Sequence, residues 1–171
     1  MSPRSPQRST ASAPVSGADV RAGVRIGIDV GTARVGVARS DRDGLLATPV
    51  ATLPRGAQTL DELRALALDL EPLEFVVGLP LSLSGADTAS TTDARDFAQR
   101  LATATGVPAR LVDERLSTVT AQRNLREAGR RAKGSRPVID QVAAVIILQN
   151  ALDAERSATR PPGATVDPYE S

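Results

Sequence analysis

The chain has 171 residues, 41% hydrophobic and 24% charged, with a net charge of +1, which suits one soluble α/β domain with unstructured ends. Cysteine and histidine are both absent, which excludes disulfides, thiolate metal sites, imidazole bases and histidine-bound zinc. Carboxylates, with or without a hard metal ion, are what remains for hydrolytic chemistry. No apolar run reaches the length of a membrane span, so no membrane partner is expected.

Residues 1–23, "MSPRSPQRSTASAPVSGADVRAG", are Ser, Pro, Ala and Arg without an apolar centre. They read as a disordered tail and not as a secretory signal, which makes the cytoplasm the expected compartment. The closing stretch, residues 155–171, "ERSATRPPGATVDPYES", reads as a second disordered tail. Residues 24–154 are the expected folded unit.

That unit opens on "IGIDVGTARVG", Ile26 to Gly36. Val24, Ile26, Ile28 and Val30 form one face of a period-2 strand, and Arg25, Gly27, Asp29 and Gly31 the other. Gly31-Thr32-Ala33 is too short for a crossover and the alternating "RVGVARSD" follows, so the pair reads as a β-hairpin. Asp29 has two readings. Either it faces solvent on a half-exposed sheet, or the glycines beside it clear space for a ligand.

"LLATPVATLP" gives a third strand, and "TLDELRALALDLEP" a helix with Thr59 and Glu62 as a capping box and Pro72 as its stop. "LEFVVGLPL" is a continuous apolar run of the kind buried in a parallel sheet. A second helix, "GADTASTTDARDFAQRLATATG", closes at Gly106, and "VPARLVDERL" gives a fifth strand. A third helix is expected from Ser117 through Ala128, then a basic loop, then the helix "PVIDQVAAVIILQNALDAE". The fold class is α/β: a mixed five-stranded sheet, a three-strand antiparallel meander plus two parallel strands, flanked by helices.

Two further acidic positions stand out. Asp113 and Glu114 lie where the fifth strand meets a helix, and ligands of parallel strands gather at carboxyl ends. The plain alternative is a pair of surface charges beside Arg115. Strand alternation points the two oppositely, so only one of them reaches a shared site. Asp140 shares a helix face with Ala143, Ala144, Ile147 and Ala151, which aims it at packed protein. Its alternative is a first-turn carboxylate held by the helix dipole. Three converging carboxylates repel unless a cation sits among them, and an all-oxygen cluster favours Mg²⁺ or Mn²⁺. Such ions activate water and stabilise the leaving oxygen in phosphodiester hydrolysis.

Phosphate contacts are expected from "QRNLREAGRRAKGSR", which holds Arg123, Arg126, Arg130, Arg131, Lys133 and Arg136 against Glu127. Ser82 and Ser84 in "VVGLPLSLSG" are further phosphate donors, unless that stretch is simply a strand and a Pro/Gly turn. The aromatic residues are only Phe75, Phe97 and Tyr169, which argues against a base-stacking platform.

In chain order, "GIDVGTARVGVARSD", "VVGLPLSLSG", "DERLST" and "VIDQVAAVIILQNAL" resemble the motifs of the YqgF/RuvX family of RNase H-like proteins, over Val24 to about Asp153. The resemblance implies an RNase H-like fold related to the RuvC resolvases and a cytoplasmic nuclease acting on precursor 16S rRNA. Older descriptions of the family favour Holliday junction resolution, hence branched DNA. Carried over by position, the resemblance makes Asp29, Glu114 and Asp140 the catalytic and metal-binding residues, with Asp113 as the substitute ligand. The family's loop before the last helix is typically basic, as "GRRAKGSR" is here, whereas the long polar N-terminal extension departs from the pattern. Junction cleavage would favour a symmetric homodimer presenting two sites.

Two other classes compete. The sugar-kinase, actin and chaperone ATPases share a stretch like "IGIDVGT", but they bind ATP between two such lobes and residues 24–154 supply one. The phosphate loop GxxxxGK[ST] is absent as well. A non-catalytic nucleic-acid-binding scaffold of the same fold is the other.

Overall fold

The computed structural model describes residues 21–116 and 136–168, apart from the side chains of Leu116 and of residues 136–140. The elements run β1 (Arg25–Val30), β2 (Arg34–Ser40), β3 (Ala47–Pro54), α1 (Thr59–Leu70), β4 (Glu74–Leu79), α2 (Ala89–Thr105) and β5 (Ala109–Asp113). A single 3-10 turn (Glu114–Leu116), α3 (Arg136–Ala158) and β6 (Ala164–Val166) follow. The helix expected from Ser117 lies outside the described residues.

The sheet order is β3-β2-β1-β4-β5-β6. β1, β4 and β5 are parallel, and β2 and β3 complete the antiparallel meander. The strand count is six, where the sequence suggested five. β6 pairs antiparallel with β5, Ala109 opposite Val166, so the stretch from 155 is not a structureless tail. Pro161-Pro162-Gly163 reads locally as a linker but acts as a turn. Gly163 (φ +77°) lies so close to β5 that an added Cβ would stand 2.0 Å from Leu111 O. Arg110 Nη1 donates to Pro162 O at 3.2 Å, and Gln99 Nε2 to Asp167 O at 3.2 Å.

Helices cover both faces. α1 and α2 bury one, placing Leu63, Phe97, Ala98 and Leu101 against Ile26, Ile28, Phe75 and Val77. α3 buries the other, with Ala144, Ile147, Leu148, Ala151 and Leu152 against Ala38 and Val76. A sheet covered twice leaves no half-exposed strand in its middle, so both faces of β1 are buried, Arg25 at 1% exposure included.

The capping box expected at Thr59 is not formed. Gln58 is the N-cap of α1 without a side-chain bond, and Thr59 Oγ1 instead donates to Pro54 O and accepts from Gly56 N, both at 2.8 Å. Those bonds tie the helix start to the end of β3. A capping box occurs at α2, where Thr88 and Thr91 exchange bonds, and Gly106 (φ +72°) closes that helix as expected.

Candidate active site

Asp29 is 6% exposed and sits on the α3-facing side of β1, one residue past Ile28, which pairs with Val77. Across the hairpin it is registered with Gly36. The solvent-facing reading of Asp29 is therefore overturned. So is part of the ligand reading, because the space above Gly27 belongs to the protein. A Cβ there would meet Leu148 Cβ at 2.7 Å and Ala144 O at 2.9 Å. Gly27 lets α3 lie close against β1.

Glu114 leaves the end of β5 and is also 6% exposed. Its carboxylate folds back over Gly78 of β4, where an added Cβ would stand 2.6 Å from Glu114 Oε1. Gly78 is registered with Val112, two residues before Glu114, and lies level with Asp29 on the adjoining strand. Asp29 and Glu114 thus share the α3-facing side of the sheet, at the carboxyl ends of parallel strands, flanking a bare glycine.

Asp113 takes the opposite course. Arg115 bonds it three ways, through its backbone N at 2.9 Å, Nε at 3.1 Å and Nη2 at 2.7 Å. These side-chain bonds from Arg115 hold the Asp113 carboxyl below its ordinary range against a smaller opposing effect of burial. The surface-pair reading holds for Asp113 and fails for Glu114.

α3 runs antiparallel to β1. Arg25 at the strand's start bonds Glu155 late in the helix, whereas Gly27 meets Ala144 and Leu148. Asp140 lies four residues before Ala144, in the part of α3 that continues past the contact with Gly27. The side chains of Asp140 and Arg136 lie outside the described residues, as do Arg123, Arg126, Arg130, Arg131 and Lys133. Among the described residues no three acidic side chains form a metal-binding group.

Ser82 and Ser84 follow β4 on the turn Pro80–Ala86. Their hydroxyls bond each other at 2.9 Å, and Ser82 Oγ accepts from Ala86 N at 3.0 Å. Gly85 (φ +85°) packs against Arg115, with an added Cβ only 3.0 Å from Nη1. The two serines hold the turn's shape.

Sequence reasoning missed the opposite end of the same face. Arg25, Glu74, Arg110 and Glu155 are all buried there. Arg21 Nη2 reaches Glu74 at 2.7 Å and Glu155 at 2.6 Å, Arg25 Nη2 reaches Glu155 at 2.8 Å, and Arg110 Nε reaches Glu74 at 3.1 Å. Burial lowers the Arg25 pKa against the pull of Glu155. The signal was present in Glu74, a charge inside the apolar "LEFVVGLPL". The network straps β1, β4, β5 and α3 together, and breaking such a buried pair is costly because the remaining charge is left without its partner.

A family model described as "RuvX: Holliday junction resolvase" matches residues 23–154. The chain belongs to the RuvX family. Among curated relatives, a protein of Clavibacter michiganensis subsp. michiganensis is 59% identical over 150 residues, 86% of this chain and 93% of that one. A protein of Leifsonia xyli subsp. xyli is 57% identical over 151 residues, 87% and 97% of the two chains. Both carry the description "Putative pre-16S rRNA nuclease". The fold is similar to that of T. thermophilus RuvC, solved with a Holliday junction substrate, at a TM-score of 0.50 and 18% identity over 81% of this chain and 98% of that one. β6 lies beyond the residues that the RuvX model matches. No helix of the described residues is long and apolar enough to cross a membrane.

Proposed function

We propose that this RuvX chain is a divalent-metal-dependent endonuclease that hydrolyses phosphodiester bonds of precursor 16S rRNA, processing its 5′ end in the cytoplasm. The observation that carries the reading is the pair of buried carboxylates, Asp29 and Glu114, on one sheet face in a chain without histidine. The names of the relatives at 57–59% identity supply the substrate.

A hard cation fits this donor set. Two carboxylates at 6% exposure on one face, with oxygen as their only donor atom, suit Mg²⁺ or Mn²⁺ better than zinc or copper. Asp29, Glu114 and Asp140 would hold it, with Glu114 chosen over Asp113 because Arg115 occupies the latter. When bound, such ions supply water activation and stabilise charge on the leaving oxygen. The chain's own residues do the rest. Gly78 leaves room for the Glu114 carboxylate. α3, packed close on Gly27, would bring Asp140 to the same site from the helix side. Arg123, Arg126, Arg130, Arg131, Lys133 and Arg136 would anchor the phosphate backbone, with Ser82 and Ser84 as further donors.

The second reading is junction resolution on branched DNA by a homodimer, which the family's description favours. Incubating purified protein with end-labelled precursor 16S rRNA and with a four-way DNA junction, each with Mn²⁺ or EDTA, tests both. Mn²⁺-dependent shortening of the rRNA at its 5′ side is the expected result. Cleavage of the junction alone would favour resolution, and binding without cleavage of either would leave a scaffold.

A further inference from the structure

We propose that Leu83 is a base-contacting wedge, inserted against an unstacked base of the RNA next to the acidic residues; the inference rests on the nuclease reading above. Leu83 is 98% exposed, against 74% for Leu68 and 60% for Leu46, the next most exposed large apolar residues described. Isolated surface leucines are ordinary, so exposure alone decides nothing. What distinguishes Leu83 is the frame that holds it out.

Ser82 N donates to Ala86 O at 3.1 Å, Gly85 N to Ser82 O at 2.8 Å and Ala86 N to Ser82 Oγ at 3.0 Å. The Ser82 and Ser84 hydroxyls on either side of Leu83 bond each other. Below the turn, Thr91 Oγ1 bonds Pro80 O, and Leu81 packs into the core shared with α2. A turn fixed at both ends presents its leucine with little ordering left to do on binding.

The location is equally specific. The turn rises from β4, whose Gly78 underlies Glu114, and Gly85 packs on the guanidinium of Arg115, the residue after Glu114. The turn thus stands at the carboxyl end of the sheet, the end that carries Asp29 and Glu114, on the side where Arg115 holds Asp113.

The occupant follows from size and chemistry. One leucine between two serines is far short of the 20–30 residues a stable protein interface needs. It suffices to enter the gap between two bases, as leucine wedges do in duplex benders. Both phenylalanines are buried, at 0% for Phe75 and 2% for Phe97, and the chain has no tryptophan, so aliphatic contact replaces stacking here. A wedge selects RNA whose bases are already unstacked, such as a strand leaving a stem.

The test uses an RNA stem with a single-stranded arm, in the Asp29→Asn background to prevent cleavage. Leu83→Trp introduces the only indole in the chain, and binding is followed independently by anisotropy of labelled RNA. The indole emission should change on binding, and Leu83→Ala should weaken binding by roughly ten- to a hundredfold, the worth of one buried leucine. Its melting temperature and its slope of log affinity against log salt should stay as in the parent. Binding by anisotropy with unchanged indole emission and equal affinity for Leu83→Ala would overturn the wedge and leave the nuclease reading standing. Failure of every variant to bind RNA would overturn both.

Discussion

The Glu114 carboxylate rests over the bare Cα of Gly78: a methyl group at 78 would stand 2.6 Å from Glu114 Oε1 and 2.6 Å from Ile147 Cδ1. Both clashing atoms are ends of flexible side chains, so Gly78→Ala should leave the backbone in place and move the carboxylate. Activity should be nearly lost for a stability cost of about 1 kcal/mol, the low end of overpacking. Gly27→Ala should behave in the reverse way. Its clashes are with Leu148 Cβ and the Ala144 carbonyl, neither of which can swing aside, so the stability loss should approach about 3 kcal/mol. Urea melts and cleavage rates on both variants check the contrast. A Gly78→Ala protein with full activity would show that the Glu114 position is irrelevant to turnover.

Neighbouring acids should give opposite results. Asp113 is engaged by Arg115, and Glu114 is buried over Gly78. Asp113→Asn is expected to keep activity within a few-fold, whereas Glu114→Gln should lower the rate by at least about a hundredfold, as loss of a group that stabilises transition-state charge does. Single-turnover rates on one RNA decide between them. Equal losses would mean that the substitute ligand also serves.

Acid stability should depend on Arg55. Its guanidinium bonds both oxygens of Asp93 at 2.5 Å, lies 5.6 Å from the Phe97 ring centre, and donates to Gly31 O at 3.0 Å, on the turn after Asp29. The bond from Arg55 holds the Asp93 carboxyl below its ordinary range. The native state then binds fewer protons than the unfolded chain in that window. The stabilisation is complete above about pH 4, the unfolded carboxylate value, and is lost as pH falls through the lower folded one. Asp93 is 36% exposed, so the pair contributes at most about 1 kcal/mol. Arg55→Ala should therefore be destabilised at neutral pH by more than at about pH 3. An equal deficit at both values would remove the pair from the acid response.

The basic segment should bind phosphate without reading sequence. Arg130, Arg131 and Lys133 to Gln should weaken all RNA substrates alike and lower the slope of log affinity against log salt by about 0.7 to 0.9 per lost contact. A changed cleavage position at an unchanged slope would assign these residues to base recognition.

Much of this was legible locally. The alternation in "IGIDVGTARVG" places Asp29 opposite the apolar core, and strand parity sends Asp113 and Glu114 apart, because each depends on neighbours two residues away. What fills the space beside Gly27 was not legible, since Ala144 and Leu148 arrive more than a hundred residues later. β6 was missed for the same reason: "ATV" after Pro-Pro-Gly has no pattern of its own and becomes a strand only by pairing with β5. Glu74 stands out locally as a charge in an apolar run, but its partner Arg110 and the Arg25–Glu155 pair appear only when the chain is folded. The capping box failed at Thr59 because its hydroxyl found Pro54 O first.

The central claim is that Asp29, Glu114 and Asp140 together hold a divalent cation. Calorimetric Mn²⁺ titration of the wild type and of Asp29→Asn, Glu114→Gln and Asp140→Asn tests it without any substrate. The wild type should bind saturably, and at a hundred times its dissociation constant gain about 2.7 kcal/mol of stability. Each variant should bind at least about tenfold more weakly, a difference of roughly 1.4 kcal/mol. Wild-type affinity in Asp140→Asn would make Asp140 a helix-start carboxylate, and unchanged affinity in all three would contradict the site.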